Sequence, residues 1–108
     1  MLTESILWER VKSLEEKTVY TLIQRRANPI AAVTDTEVKI RNRKTGPTRG
    51  GIYRNYETLY IEGRLGDGKE GNLRGMRVIL AILSEAVRDE LHVIKGEIRP
   101  KSFGNQLG

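Results

Sequence analysis

The stretch from Met76 to Leu83 is apolar except for Arg77, and it limits more strongly than any other what this chain can fold into. Large apolar residues continue at helical spacing through Leu80 to Val87. A helix that is apolar on nearly all sides has to be covered on more than one face. Either the rest of the chain or a second copy of it must therefore pack around this helix.

The chain has 108 residues, enough for one domain and one hydrophobic core. Because so small a core has little material with which to enclose an apolar helix, we expect a homodimer formed through residues 76–91. There is no cysteine, no basic leader before an apolar run, and no apolar stretch long enough to span a bilayer. We therefore expect a cytoplasmic protein with no disulfide, no zinc–thiolate site, no cofactor and no membrane partner.

The first half of the chain has the pattern of one helix followed by three strands. Thr3 is suited to cap a helix over residues 4–14, whose apolar residues recur on one side. β-branched and aromatic residues, and then strict alternation of apolar with polar residues, predict strands over residues 18–24, 30–33 and 37–43. Such strands form a three-stranded antiparallel sheet with one exposed face.

Two further helices are expected in the second half. Residues 44–51 form a glycine-rich loop, after which Asn55 is suited to begin a short helix over residues 56–62 and Gly63 to end it. The apolar helix is expected to begin near Asn72 and to pack with the short helix on one face of the sheet.

The predicted fold is thus α+β, a single domain over residues 1–94. The pattern leaves open whether residues 91–94 extend the last helix or form a strand. Residues 95–108 contain few apolar residues and are expected to form a loose, flexible tail.

The net charge of +5 is concentrated in one part of the chain. Between Lys39 and Arg54, which we call the basic segment, there are six basic residues and no acidic residue, whereas the rest of the chain is close to neutral. On one strand face, Arg41 and Arg43 would lie about 7 Å apart, a spacing that suits successive phosphates of a nucleic-acid strand. Glycines in the following loop would let the main chain approach such a ligand.

A second interpretation of the same region is a small metal-dependent nuclease. Glu37 and Lys39 have the E-x-K spacing in which a carboxylate holds a divalent metal ion and a lysine stabilises charge on the attacked phosphate. Such a site needs another carboxylate, for which Asp35, Glu15 and Glu16 are the available residues. His92 is the only histidine, so no zinc site or catalytic triad is indicated.

Several features also occur together in a known group of proteins. They include Trp8 in the first helix, the hairpin over residues 33–40, the apolar run over residues 78–83 and, most specifically, Arg54 ahead of the short helix. In these features, over roughly residues 8–84, the chain resembles small modules associated with restriction endonucleases and their stand-alone prokaryotic relatives. Because those modules are associated with reading or holding DNA, the resemblance implies a DNA-binding role.

We therefore predict a small, non-catalytic nucleic-acid-binding protein, with DNA favoured over RNA. Tyr53, which adjoins the loop, is the first candidate for stacking on a base. The alternatives are the nuclease and a protein-interaction or oligomerisation module whose basic face is merely solvated. The predicted phosphate contacts are Arg41, Arg43, Lys44, Arg49 and Arg54.

Overall fold

The computed structural model describes residues 1–66 and 75–101, which form three helices and two small antiparallel sheets. The helices are α1 (Glu4–Lys12), α2 (Arg49–Glu62) and α3 (Met76–Ala86), and a 3-10 turn covers Arg88–Glu90. In the first sheet the strand order is β1 (Thr18–Tyr20), β2 (Ala27–Val33) and β3 (Val38–Ile40). In the second sheet β6 (Glu97–Pro100) lies between β4 (Leu65–Gly66) and β5 (Leu91–Ile94). The predicted α+β class is confirmed, but the second sheet was not predicted.

Helix α3 lies at the centre of the core, as its apolar sequence predicts. Eight of its eleven residues are buried. It packs against α1 and α2, and against one strand of each sheet, β1 and β6. Because one chain supplies this cover, the physical reason for expecting a homodimer through residues 76–91 no longer holds.

The two later helices are not arranged as predicted. Whereas α3 contacts both sheets, α2 packs against β4 and β6 of the second sheet. The prediction that both helices lie on one face of a single sheet is therefore only partly matched. Helix α3 packs on the predicted sheet through β1, but the second sheet adds a surface that the sequence did not indicate, and α2 packs there. None of the helices that the structure describes has the length and apolar character needed to cross a membrane.

Helix α1 forms for the reasons that its sequence suggests. The hydroxyl of Thr3 accepts a hydrogen bond from the amide of Ile6, which satisfies one of the unpaired donors in the first turn. On the buried side, the indole nitrogen of Trp8 donates to the carbonyl oxygen of Thr34 at 2.9 Å. This bond fixes α1 to the turn between β2 and β3.

The first sheet differs from the prediction at the turn between β1 and β2. The hydroxyl of Thr21 accepts a hydrogen bond from the amide of Arg26, and the Thr21 carbonyl accepts one from the amide of Arg25. These bonds end β1 at Tyr20, so it is shorter than predicted. Strand β2 then continues through Pro29, next to a bulge, which is a position where a strand tolerates a missing amide hydrogen.

Helix α2 begins earlier than predicted, at Arg49. Its cap is Thr48, whose hydroxyl accepts a hydrogen bond from the amide of Gly51, and not Asn55. Asn55 lies inside the helix and donates from its side chain to the Gly51 carbonyl. The helix ends where predicted, because Gly63 has a φ of 79° in the left-handed region that glycine adopts readily.

The chain beyond residue 94 contains a strand where a loose tail was expected. Residues 91–94 form β5, and the two-residue loop Lys95–Gly96 leads directly into β6. Ile98 of β6 is buried in the core. The tail prediction is therefore wrong for residues 97–100, and its part over residues 102–108 lies outside the described residues.

A small polar network joins α2 to the 3-10 turn. The hydroxyls of Tyr56 and Tyr60 donate to the same carboxylate oxygen of Glu90, at 2.8 and 2.6 Å. The amide of Leu2 donates to the Tyr56 hydroxyl at 2.7 Å, which holds the N-terminal residues to the same network. Burial first, and hydrogen bonding to Glu90 second, raise the pKa of Tyr56 to about 12 and also raise the pKa of Tyr60.

This network should make folding stability fall in alkaline solution. A raised pKa means that the folded state favours the neutral phenol, so the stabilisation is complete below the ordinary pKa of 10.0 and is lost towards about 12. The double variant Tyr56→Phe/Tyr60→Phe has no phenol at either position, so its stability does not include this pH-dependent contribution. We expect the stability difference between the native chain and this variant to narrow above pH 10.0 in urea unfolding. A constant difference would contradict the assigned role of the network.

Candidate functional site

The basic segment does not form the predicted row of arginines on a strand. Of the six basic residues in this segment, only Lys39 lies within β3, which ends at Ile40. The chain turns at Arg41 and Asn42, and Asn42 has a φ of 66°, a left-handed conformation that asparagine tolerates better than most residues. Because this turn breaks the alternation of a strand, the prediction that Arg41 and Arg43 share one strand face is wrong.

Arg49, another predicted phosphate contact, is engaged inside the fold. Its guanidinium carbon lies 5.7 Å from the centroid of the Trp8 ring, within the range of a cation–π contact. One of its terminal nitrogens donates to the carbonyl oxygen of Asp35 at 3.3 Å. These contacts connect the start of α2 to α1 and to the turn before β3, which is a structural role.

The other two predicted residues of α2 lie in different surroundings. Tyr53 is half-buried and packs on Tyr56, with their ring centroids 6.2 Å apart, so part of its ring is already covered. Arg54 is exposed and lines neither of the two concavities described below. A role in stacking for Tyr53 and in phosphate contact for Arg54 stays a prediction.

Three arginines from distant parts of the sequence line one concavity of about 220 Å³, which we call the arginine pocket. Arg26 comes from the turn between β1 and β2, Arg43 from the loop after β3, and Arg77 from the first turn of α3. The other residues that line it are Thr21, Ala27, Asn28 and Val78. Packing of α3 against the first sheet therefore brings the three side chains to one site.

Two buried polar residues position Arg26 in this pocket. Thr21 and Asn28 are the buried polar residues of the part of the chain that the structure describes. The side-chain amide of Asn28 donates to the Arg26 carbonyl at 3.2 Å, and the Thr21 hydroxyl accepts from the Arg26 amide at 2.9 Å. Because both bonds hold the main chain of Arg26, its side chain extends from a fixed point.

Two of the three arginines in the pocket have no charge partner among the described residues. Over residues 1–66 and 75–101, the side chains of Arg26 and Arg43 have no hydrogen-bond or ion-pair partner, and no acidic residue lines the pocket. The positive charges of Arg26 and Arg43 therefore create a field that favours an anion. Guanidinium groups offer paired donors that match the oxygens of a phosphate.

A second concavity of about 410 Å³ adjoins the first, and we call it the loop pocket. The two pockets share Arg43 and Val78. The loop itself is held against β3, because the amide of Val38 donates to the Pro47 carbonyl at 2.8 Å. The other residues that line the loop pocket are Ile40, Lys44, Thr45, Gly46, Pro47 and Gly75.

The residues of the alternative nuclease site are not assembled in the described part of the chain. Asp35 is paired with Lys12, whose Nζ lies 2.9 Å from a carboxylate oxygen, and this bond lowers the pKa of the Asp35 carboxyl. The carboxylate of Glu15 accepts a hydrogen bond from the amide of Val33. Across residues 1–66 and 75–101, no three acidic, histidine or cysteine side chains lie close enough together to hold a metal ion with Glu37 or elsewhere.

We found no match to this chain among protein-family models, curated proteins or solved structures. The resemblance to modules associated with restriction endonucleases therefore stays a prediction. Of the predicted phosphate contacts, Arg43 and Lys44 line the arginine pocket or the loop pocket, and the sequence analysis missed Arg26 and Arg77. One signal was present, since residues 18–34 include Arg25 and Arg26 but no acidic residue.

Proposed function

We propose that this chain binds nucleic acid through its phosphates, with the arginine pocket at the centre of the contact. The observation that supports this function best is that Arg26 and Arg43, which have no side-chain partner among the described residues, converge beside Arg77 on one concavity. The paired donors of guanidinium groups match the charge and the oxygen geometry of a phosphate. The net charge of +5 adds a long-range attraction to a polyanion.

The basic residues outside the pocket differ in how they contribute to binding in this proposal. Arg41 and Lys44 are exposed on the same loop as Arg43, and they contact neighbouring phosphates. Lys39 is exposed on β3 and adds to the same positive field. Arg49 is left out, because its contacts with Trp8 and with the Asp35 carbonyl already hold its guanidinium group. The proposed function is binding, with no chemical step.

We expect binding to short DNA or RNA to weaken steeply as salt is added. If about four phosphates are contacted, the slope of log affinity against log salt should be roughly −3 to −4. Arg26→Ala and Arg43→Ala should each weaken binding to all sequences alike and should flatten the slope by about one, because each removes one phosphate contact. Fluorescence anisotropy across a salt series measures both quantities.

Arg88→Ala is the matched control for these variants. It removes the same charge from an exposed residue beyond the far end of α3, an eleven-residue helix that is about 16 Å long. We expect Arg88→Ala to leave the slope unchanged. All three variants should unfold at nearly the same denaturant concentration as the native chain, since exposed charges contribute little to stability. Undetectable binding at low salt would show that the basic surface is only solvated. Equal losses of affinity in all three variants would show that binding does not centre on the arginine pocket.

A further inference from the structure

The arginine pocket and the loop pocket differ in chemistry although they share a wall. The first has arginines with Thr21 and Asn28, whereas the second has the apolar side chains of Ile40 and Pro47. Arg43 and Val78 belong to both. A charged site that adjoins a partly apolar one is complementary to a nucleotide, in which a charged phosphate is linked to a base with apolar faces.

The charge of the arginine pocket suits a phosphate monoester better than a phosphodiester. A phosphodiester inside a strand has a single negative charge, whereas a monoester has close to two at neutral pH, because its second pKa is near 6. Arg26 and Arg43, which have no side-chain partner within the described residues, already match those two charges. A monoester also exposes three oxygens to the donors around it, which a diester cannot do.

The sizes of the two pockets agree with a ligand of this kind. Their volumes of about 220 and 410 Å³ together fall in the range of roughly 300 to 1,000 Å³ that is typical of sites for small ligands. Because the two concavities adjoin at Arg43, one ligand can occupy both.

We propose that these two pockets bind a nucleotide with a terminal phosphate, with the phosphate in the arginine pocket and the base in the loop pocket. The nucleotide is either the end of a nucleic-acid strand or a free nucleoside monophosphate, and its identity as a strand end rests on the function proposed above. Arg26 and Arg43 hold the phosphate oxygens. Pro47, which is half-buried, contacts the base beside the largely buried Ile40, so the site is selective for a phosphorylated end and tolerant of base identity.

The test compares oligonucleotides of one sequence that differ only at their ends. One has a 5′-phosphate, one a 3′-phosphate and one hydroxyls at both ends, and nucleoside monophosphate and inorganic phosphate are measured beside them with the full chain. We expect one phosphorylated end to bind about tenfold or more tightly than the hydroxyl form, the effect of a charge-assisted hydrogen bond. A free monophosphate should bind more tightly than inorganic phosphate, because only the monophosphate fills the loop pocket.

Three variants separate the pocket from general attraction. Arg26→Ala and Arg43→Ala should each abolish the preference for the phosphorylated end. Lys39→Ala should weaken all the oligonucleotides alike and keep the preference, because Lys39 is exposed and lines neither pocket.

The possible outcomes distinguish this inference from the proposed function. Equal, salt-dependent binding of all three oligonucleotides would support the function and overturn the inference. Binding of the monophosphate alone would support the pocket assignment and overturn the nucleic-acid function, whereas no binding by any probe would overturn both. Inorganic phosphate that binds as tightly as the monophosphate would overturn the role of the loop pocket.

Discussion

Replacing Gly46 with alanine should destabilise the chain by about 3 kcal/mol, at the upper end of what overpacking usually costs. A Cβ at Gly46 would overlap the carbonyl oxygen of Val38, which is a main-chain atom of β3 and cannot rotate away. The loop cannot shift easily either, because the Val38 amide donates to the neighbouring Pro47 carbonyl. The strain therefore has to be relieved by separating the loop from the sheet.

Gly50→Ala provides the matched control, because a Cβ at Gly50 would meet nothing within 4 Å. Gly50 lies in the first turn of α2, where alanine favours the helix, so this change should stabilise the chain by roughly 0.5–1 kcal/mol. Urea unfolding of the two variants should give shifts of opposite sign. Equal shifts would show that the loop does not rest on β3 as described.

The same substitution connects stability with the candidate site. The loop that contains Gly46 also contains Arg43 and Lys44, and all three line the loop pocket. Displacing the loop should therefore weaken nucleic-acid binding even under conditions in which the variant stays folded. Gly50→Ala should bind nucleic acid as the native chain does. A similar loss of affinity in both variants would show that the position of the loop does not affect binding.

The helices could be predicted from the sequence wherever their signals are local. The hydroxyl of Thr3, the apolar pattern of α3 and the left-handed Gly63 each act within a few residues of their own position. Such features are visible in one dimension. Thr48 and Asn55 are both good capping residues, and the earlier start is favoured by tertiary contacts such as those of Arg49 with Trp8 and with the Asp35 carbonyl.

The sequence indicates the hairpin of β5 and β6 only weakly, through the two residues of its turn. Lys95 and Gly96 have φ angles of 44° and 83°, as a two-residue turn with both residues in the left-handed region requires. Glycine fits this conformation well, but lysine is a less typical first residue than asparagine or aspartate. In the structure, β6 pairs with β4 and β5, and its residue Ile98 packs into the core. Neither contact is visible in the local sequence.

The candidate site could not be predicted in full, because it depends on tertiary packing. Charge along the chain identified the loop that contains Arg43 and Lys44. Arg26 falls between the predicted strands over residues 18–24 and 30–33, and Arg77 is the one charged residue of the apolar stretch from Met76 to Leu83. Their convergence follows from the packing of α3 on β1, which no local pattern contains.

Ile82→Ala should cost about 2–5 kcal/mol, because it removes three buried carbons and leaves a cavity in the core. Ile82 is completely buried in α3, with 0% of its surface exposed. Ile61 in α2 is 76% exposed, so Ile61→Ala is a control with identical chemistry and should change stability by no more than about 0.5 kcal/mol. Thermal or urea unfolding measures both changes.

The same pair of variants tests whether one chain is enough to cover α3. If α1, α2, β1 and β6 supply all the cover, unfolding is unimolecular, and the midpoints of the native chain and of Ile82→Ala should not depend on protein concentration. If a second copy supplied part of it, unfolding would include dissociation, and each midpoint would rise with concentration. The packing described for α3 would be overturned if the unfolding midpoint of the native chain rose with protein concentration and Ile82→Ala reduced that rise. Such a result would mean that a second copy covers part of the helix.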